Sequence, residues 1–171
     1  PIMEIGPGIG ALTQKLLELE QKVLCVELDD NLIQPLIKTF GNNPQFSLWH
    51  QDCLGVSLEQ LQQHFDNHQI SVVANIPYYI TTPIIKKIVD DWSSVVDEAI
   101  LMVQEEVAKR ICASPCSKSY GSLSVYVQTK CDANYLFKVG KENFVPQPKI
   151  DSAIIKIAKN NRYQLDWEDY S

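Results

Sequence analysis

Short apolar runs separated by amphipathic stretches fill the first hundred residues, and this alternation commits the chain to a parallel sheet covered by helices. Ile2–Ile5, Lys22–Leu28, Gln45–Gln51 and Ile70–Ala74 read as buried strands. Between them, Ile9–Glu20 sets Leu12, Leu16, Leu17 and Leu19 on one helical face. Asn31–Phe40 and Leu58–Phe65 read as further helices, and Thr82 and Pro83 as the cap and first residue of another. Ala99–Val103 reads as a fifth strand, followed by helices over Glu105–Ala113 and Ser122–Lys130. Ala133–Val139 and Ser152–Ala158 read as two closing strands. The stretches Ser114–Ser119 and Phe144–Lys149 are too rich in breakers for regular structure. A length of 171 residues suits one domain of this kind.

In an open sheet of this type, ligands bind beyond the carboxyl ends of the strands. Gly6, Gly8 and Gly10 stand where the first strand turns into a helix, and glycine there lets the backbone approach a ligand closely. Glu27 ends the second strand, where a carboxylate can accept both hydroxyls of a ribose. Asp52, with Cys53 beside it, follows the third strand and suits the amino group of an adenine. Asn75 ends the fourth. A dinucleotide site would place its third glycine five positions after the first, but Gly10 follows Gly6 by four. The four end-of-strand groups together favour S-adenosylmethionine over NAD.

Asn75-Ile76-Pro77-Tyr78 suits chemistry on an amine conjugated to an aromatic ring. Such an amine is a poor nucleophile because its lone pair is delocalised. A carboxamide oxygen and a backbone carbonyl that accept its two N–H groups localise the pair without a charged base. Pro77 stiffens the turn that aims those acceptors, and Tyr78 offers a flat ring to an extruded base.

Charge is divided along the chain. Residues 1–100 carry 5 basic and 13 acidic side chains, whereas residues 107–163 carry 10 basic against 3 acidic, a balance of +7 that suits a phosphate backbone. No apolar run approaches the roughly 20 residues of a membrane span. The five cysteines form no CxxC pair, and His64 and His68 lack a third ligand, so no metal is expected. Unpaired cysteines of this kind fit a reducing, cytoplasmic compartment.

Six segments carry a family resemblance: Glu4–Gly8, Val26–Asp29, Gln51–Asp52, Asn75–Thr81, Ser119–Val125 and Phe144–Ala153. In this order the chain resembles the ribosomal RNA adenine dimethyltransferases, closest to their bacterial small-subunit (16S) branch. The resemblance implies an α/β, Rossmann-like class I S-adenosylmethionine-dependent methyltransferase fold. Its seven-stranded, mostly parallel sheet would end in an antiparallel closing hairpin. It implies transfer of four methyl groups, two to each of two adjacent adenines near the 3′ end of small-subunit rRNA, within a pre-30S particle. Gly6, Gly8, Glu27, Leu28, Asp52, Cys53 and Asn75 would contact the cofactor. Asn75 with the Ile76–Pro77 backbone would bind the target amine, and Tyr78 with Phe144 would sandwich the base. Lys109, Arg110, Lys118 and Lys149 would face RNA, and the protein would act as a monomer.

Residues 1–159 would form the catalytic domain, lacking the family's N-terminal cofactor-covering segment ahead of Pro1. Residues 160–171 would begin a truncated C-terminal helical RNA-binding domain. Competing readings are a 23S rRNA or DNA adenine-N6 methyltransferase, and a non-catalytic RNA-binding assembly or transcription factor on the same fold.

Overall fold

The computed structural model describes residues 1–160. The expected start of a further helical domain at residues 160–171 therefore lies almost wholly outside the described residues. Seven strands, β1 (Ile2–Ile5), β2 (Val23–Glu27), β3 (Phe46–His50), β4 (Ile70–Asn75), β5 (Val96–Gln104), β6 (Cys131–Val139) and β7 (Ser152–Lys159), form one sheet in the order β3-β2-β1-β4-β5-β7-β6. The first five strands pair in parallel, and β7 inserts antiparallel between β5 and β6. This is the class I methyltransferase architecture that the family resemblance implied.

Parallel strands are covered on both faces, and their side chains alternate between two apolar layers. Ile2, Val23 and Cys25 pack with Leu16 of helix α1 (Ala11–Leu17) in the smaller layer. Their neighbours Met3, Leu24 and Val26 enter the larger one. That larger core also takes Leu61 of α3 (Leu58–His64) and Ile84 and Ile85 of α4 (Thr81–Lys86). Trp92, fully buried after the π-type turn Lys87–Asp91, joins the same core. Its indole donates to the Val56 carbonyl at 3.1 Å, so the ring is both packed and polar-satisfied. The remaining helices are α2 (Asp30–Phe40), α5 (Glu105–Ile111) and α6 (Ser122–Gln128).

One expected boundary is corrected. Thr82 does not cap α4: the helix begins at Thr81, with Ile80 at the cap and Pro83 in its first turn. Proline is tolerated there because first-turn N–H groups lack intrahelical acceptors. The Thr81 hydroxyl turns back to the Pro77 and Tyr78 carbonyls, at 3.4 and 3.3 Å, and ties the helix to the preceding turn.

Trp92→Ala would open a large cavity and strand the Val56 carbonyl. It should cost about 3–5 kcal/mol in urea unfolding; a loss below about 1 kcal/mol would contradict this account of the core.

Candidate active site

Strand register sets the site. Ile5 lies beside Val26 on one side and Ala74 on the other, so Gly6, Glu27 and Asn75 emerge at one level along the carboxyl edge. Adjacent strands are about 4.8 Å apart, which places these three residues along the width of one small ligand.

The glycines divide their work. Gly6 and Gly8 adopt φ of +66° and +59°, and a Cβ built on either meets nothing within 4 Å. They line open space that a ligand can enter. Gly10, at φ +86°, has a packing role instead, because a Cβ there would lie 2.4 Å from the Phe40 ring. The Glu27 carboxylate closes the glycine turn: Oε2 accepts the Gly8 N–H at 3.2 Å, and Oε1 accepts those of Leu28 and Asp29 at 2.8 and 2.9 Å. A carboxylate offers about four acceptor positions, so this one keeps capacity for a ligand hydroxyl. Leu28 is exposed next to it. These features fit a nucleoside with an attached chain: a backbone cradle, a ribose acceptor and an apolar contact.

Asp52 sits beyond β3 and accepts the Leu54 N–H through Oδ1 at 2.9 Å. Cys53 follows Asp52 as the first residue of the short turn Cys53–Gly55. Its thiol is buried in the core, where desolvation and the neighbouring Asp52 carboxylate push it up to about 11. Only its backbone remains a candidate for ligand contact.

Beneath the turn is a buried trio that sequence reasoning missed. The Glu4 carboxyl, 2% exposed, accepts the Thr13 hydroxyl at 2.6 Å and the Cys25 thiol at 3.4 Å. Burial pushes Glu4 above the ordinary carboxyl range, outweighing those two bonds, and the Glu27 charge adds to the rise. Its place in the glycine motif was visible, but the partners Thr13 and Cys25 come together only through the fold.

The fourth strand ends in a turn with Ile76 as its anchor. Ile76 is buried, and its N–H donates to the Met102 carbonyl at 3.1 Å, while Asn75 and Pro77 on either side are exposed. The Pro77 carbonyl is engaged by the Ile80 N–H and the Thr81 hydroxyl. The Ile76 carbonyl is in no hydrogen bond among the described residues, so it is the carbonyl of the turn open to a donor. Asn75, Ile76, Pro77 and Tyr78 meet Phe144, Pro146, Pro148 and Ser152 around an open cavity of 300 Å³. The strand-end turn and the loop before β7, about seventy residues apart in sequence, thus share one pocket.

The basic residues are less uniform than their count. Lys109 pairs with Glu105 at 2.8 Å and Arg110 with Glu106 at 2.5 Å, each one helical turn away. Lys149 lines a 410 Å³ depression with Lys109, Lys141, Glu105, Glu106 and Asp151. Lys118 lies in the exposed loop between α5 and α6. Among the described residues no ion pair engages Lys118 or Lys149, and no cluster of three or more metal-ligating side chains occurs. None of the described helices is long and apolar enough to cross a membrane.

Because the folded state keeps the Glu4 proton to higher pH than the unfolded chain, its contribution to stability is complete below about 4.5 and fades as pH rises through the elevated value. Glu4→Gln should therefore flatten the fall in unfolding free energy above pH 4.5. Parallel wild-type and variant profiles in urea titrations at successive pH values would refute the buried-carboxyl assignment.

The profile of the family described as ribosomal RNA adenine dimethylase matches residues 1–171. The ribosomal RNA small subunit methyltransferase A of Ligilactobacillus salivarius is 47% identical over 160 residues, covering 92% of this chain and 54% of the relative. The protein of the same name from Enterococcus faecalis is 46% identical with the same coverage. The chain thus spans about half the length of these relatives. Among solved structures, a dimethyladenosine transferase from Plasmodium falciparum superposes with a TM-score of 0.77 at 28% identity, over 93% of this chain and 55% of that one. The 23S rRNA methyltransferase ErmE superposes with a TM-score of 0.80 at 25% identity, over 94% of this chain and 62% of that one. With its fold, its strand-end groups and its full-length profile match in agreement, the chain belongs to the ribosomal RNA adenine dimethylase family.

Proposed function

We propose that this chain catalyses methyl transfer from S-adenosylmethionine to the N6 amines of two adjacent adenines near the 3′ end of small-subunit rRNA, giving N6,N6-dimethyladenosine. The observation that carries the reading is the level placement of Asn75 with Glu27 and the open glycine turn, above a pocket walled by Tyr78 and Phe144. The substrate choice rests on the family and on the names of the relatives. A pre-30S particle as the RNA partner, a monomeric state and a cytoplasmic setting belong to the same reading.

Gly6 and Gly8 offer space for the methionine portion, Glu27 an acceptor for the ribose, Leu28 an apolar surface for the adenine, and Asp52 an acceptor for its amino group. When bound, S-adenosylmethionine supplies a methyl on a sulfonium, so that the N–C bond forms as the C–S bond breaks and an N6 proton passes to water. The Asn75 carboxamide oxygen and the Ile76 carbonyl each accept one N–H of the target amine. They turn its lone pair out of conjugation and towards the methyl, and they stabilise the positive charge that develops on nitrogen. Pro77 keeps the two acceptors in fixed relation. Orientation is the main contribution of the protein. Tyr78 and Phe144 stack on the extruded base, offsetting part of the few kcal/mol lost on unstacking it.

A second reading, an adenine-N6 methyltransferase of 23S rRNA, is favoured by the TM-score of 0.80 with ErmE. Incubation with labelled S-adenosylmethionine and either unmethylated small subunits or 23S rRNA, followed by nucleoside analysis, separates the two. The first reading expects labelled N6,N6-dimethyladenosine in small-subunit rRNA. Label confined to 23S rRNA would replace it with the second, and absence of label despite cofactor binding would reject both. In the same assay Asn75→Ala should slow transfer about 10²–10³-fold while leaving RNA affinity near the wild-type value; an unaltered rate would remove Asn75 from the chemistry.

Charge reversal at Lys118 or Lys149 should lower the salt dependence of RNA affinity by about one unit of log–log slope for each phosphate that is no longer neutralised. Lys109 and Arg110, already neutralised by their glutamates, should change it less. Equal effects at all four positions would contradict this division of the basic residues.

A further inference from the structure

One polar contact joins the two walls of the pocket. The Tyr78 hydroxyl lies 3.1 Å from the Ser152 Oγ, across 74 residues of sequence. The two residues have opposite settings: Tyr78 is exposed on a short 3-10 turn, whereas Ser152 is 2% exposed at the first position of β7. Ser152 pairs in register with Gln104 of β5 and Val139 of β6. The preceding residue is tied down as well. Asp151 accepts the Lys141 N–H at 3.0 Å and the Lys138 ammonium at 2.7 Å, and its carbonyl accepts the Glu105 N–H at 3.0 Å. Ser152 is thus a rigid post, and the tyrosine ring is the movable partner.

We infer that Ser152 is a positioning residue that fixes the Tyr78 ring and thereby the slot in which a once-methylated base is held for a second transfer. The inference rests on the function proposed above and deepens it. The target amine first presents two N–H groups, one to the Asn75 carboxamide and one to the Ile76 carbonyl. After one transfer a methyl group has replaced one of them. A single N–H then orients the nitrogen, and the base plane depends more on the faces that contain it. Tyr78 is one such face, and its phenol is hydrogen-bonded within the protein to Ser152 alone among the described residues. Without that bond the ring can rotate about its side-chain torsions and leave the position opposite Phe144. The second transfer should therefore be more sensitive to the loss than the first. Cofactor binding should be indifferent, because neither hydroxyl belongs to the glycine turn or to Glu27.

The test follows both transfers by single-turnover kinetics on unmethylated small subunits, using protein of native length, with N6-methyladenosine and N6,N6-dimethyladenosine quantified separately. Ser152→Ala is expected to lower the ratio of the second rate to the first about 2- to 10-fold, the range for loss of one neutral hydrogen bond. Cofactor Kd should stay unchanged. Tyr78→Phe should give a similar change in ratio, and the double variant no more than either single one, because both remove the same bond. A Ser152→Ala protein that loses thermal stability, or slows both transfers equally, while keeping the wild-type ratio would overturn the inference and leave Ser152 a strand-end packing residue. Additive effects in the double variant would also overturn it. A wild-type protein that methylates no adenosine would sink the parent reading, and this inference with it; a methylating wild type with an unaltered ratio in Ser152→Ala would sink this inference alone.

Discussion

The Glu27 carboxylate accepts backbone N–H groups from Gly8, Leu28 and Asp29, and the carboxyl edge of the sheet is organised around these bonds. They fix the glycine turn of one strand against the end of its neighbour. Parallel register then carries that fixed level across to Asn75. A carboxyl group at a largely buried position is costly without hydrogen bonds, and three N–H donors offset that cost while leaving acceptor capacity at the open side. Behind it, Glu4 is partnered by side chains rather than by backbone N–H groups. It is deeply buried, its proton is retained to higher pH, and its bonds to Thr13 and Cys25 hold the start of α1 against β1 and β2.

The second half of the site depends on the antiparallel insertion of β7. A purely parallel sheet would leave the Asn75 turn facing solvent. Because β7 runs back between β5 and β6, the loop before it returns to the carboxyl edge and brings Phe144, Pro146 and Pro148 opposite Tyr78. The hairpin therefore supplies both a wall of the pocket and, through Ser152, a hydrogen bond to the opposite wall. This placement joins the glycine turn and Glu27 to a cavity walled by Tyr78 and Phe144.

Much of this was legible in the sequence, for identifiable reasons. Buried parallel strands are nearly continuous apolar runs, and residues such as Glu27 and Asn75 interrupt them where binding groups belong. The Asn-Ile-Pro-Tyr turn carries its chemistry in four consecutive residues, so it can be read without the fold. Contacts between distant segments were not legible. Neither Tyr78–Ser152 nor Glu4–Thr13–Cys25 has a local signature, and the cap of α4 falls at Ile80, whose side chain makes no capping hydrogen bond and so leaves no mark in the sequence. The position of Cys53 beside Asp52 was readable, but the burial of its thiol in the core was not. The pairing of Lys109 and Arg110 was readable in principle, since Glu105 and Glu106 stand four residues earlier. A charge count over a long window averages such pairs away.

The central claim is that neutral acceptors, the Asn75 carboxamide and the Ile76 carbonyl, prepare the amine without a titrating base. The most direct measurement is the single-turnover rate of methyl transfer as a function of pH, with cofactor and RNA saturating. From about pH 6 to 9, between the ordinary ranges of carboxylates and phenols, the account predicts a flat profile. A rate that climbs tenfold per pH unit across that interval would show a general base removing the proton before or during transfer, and would contradict it.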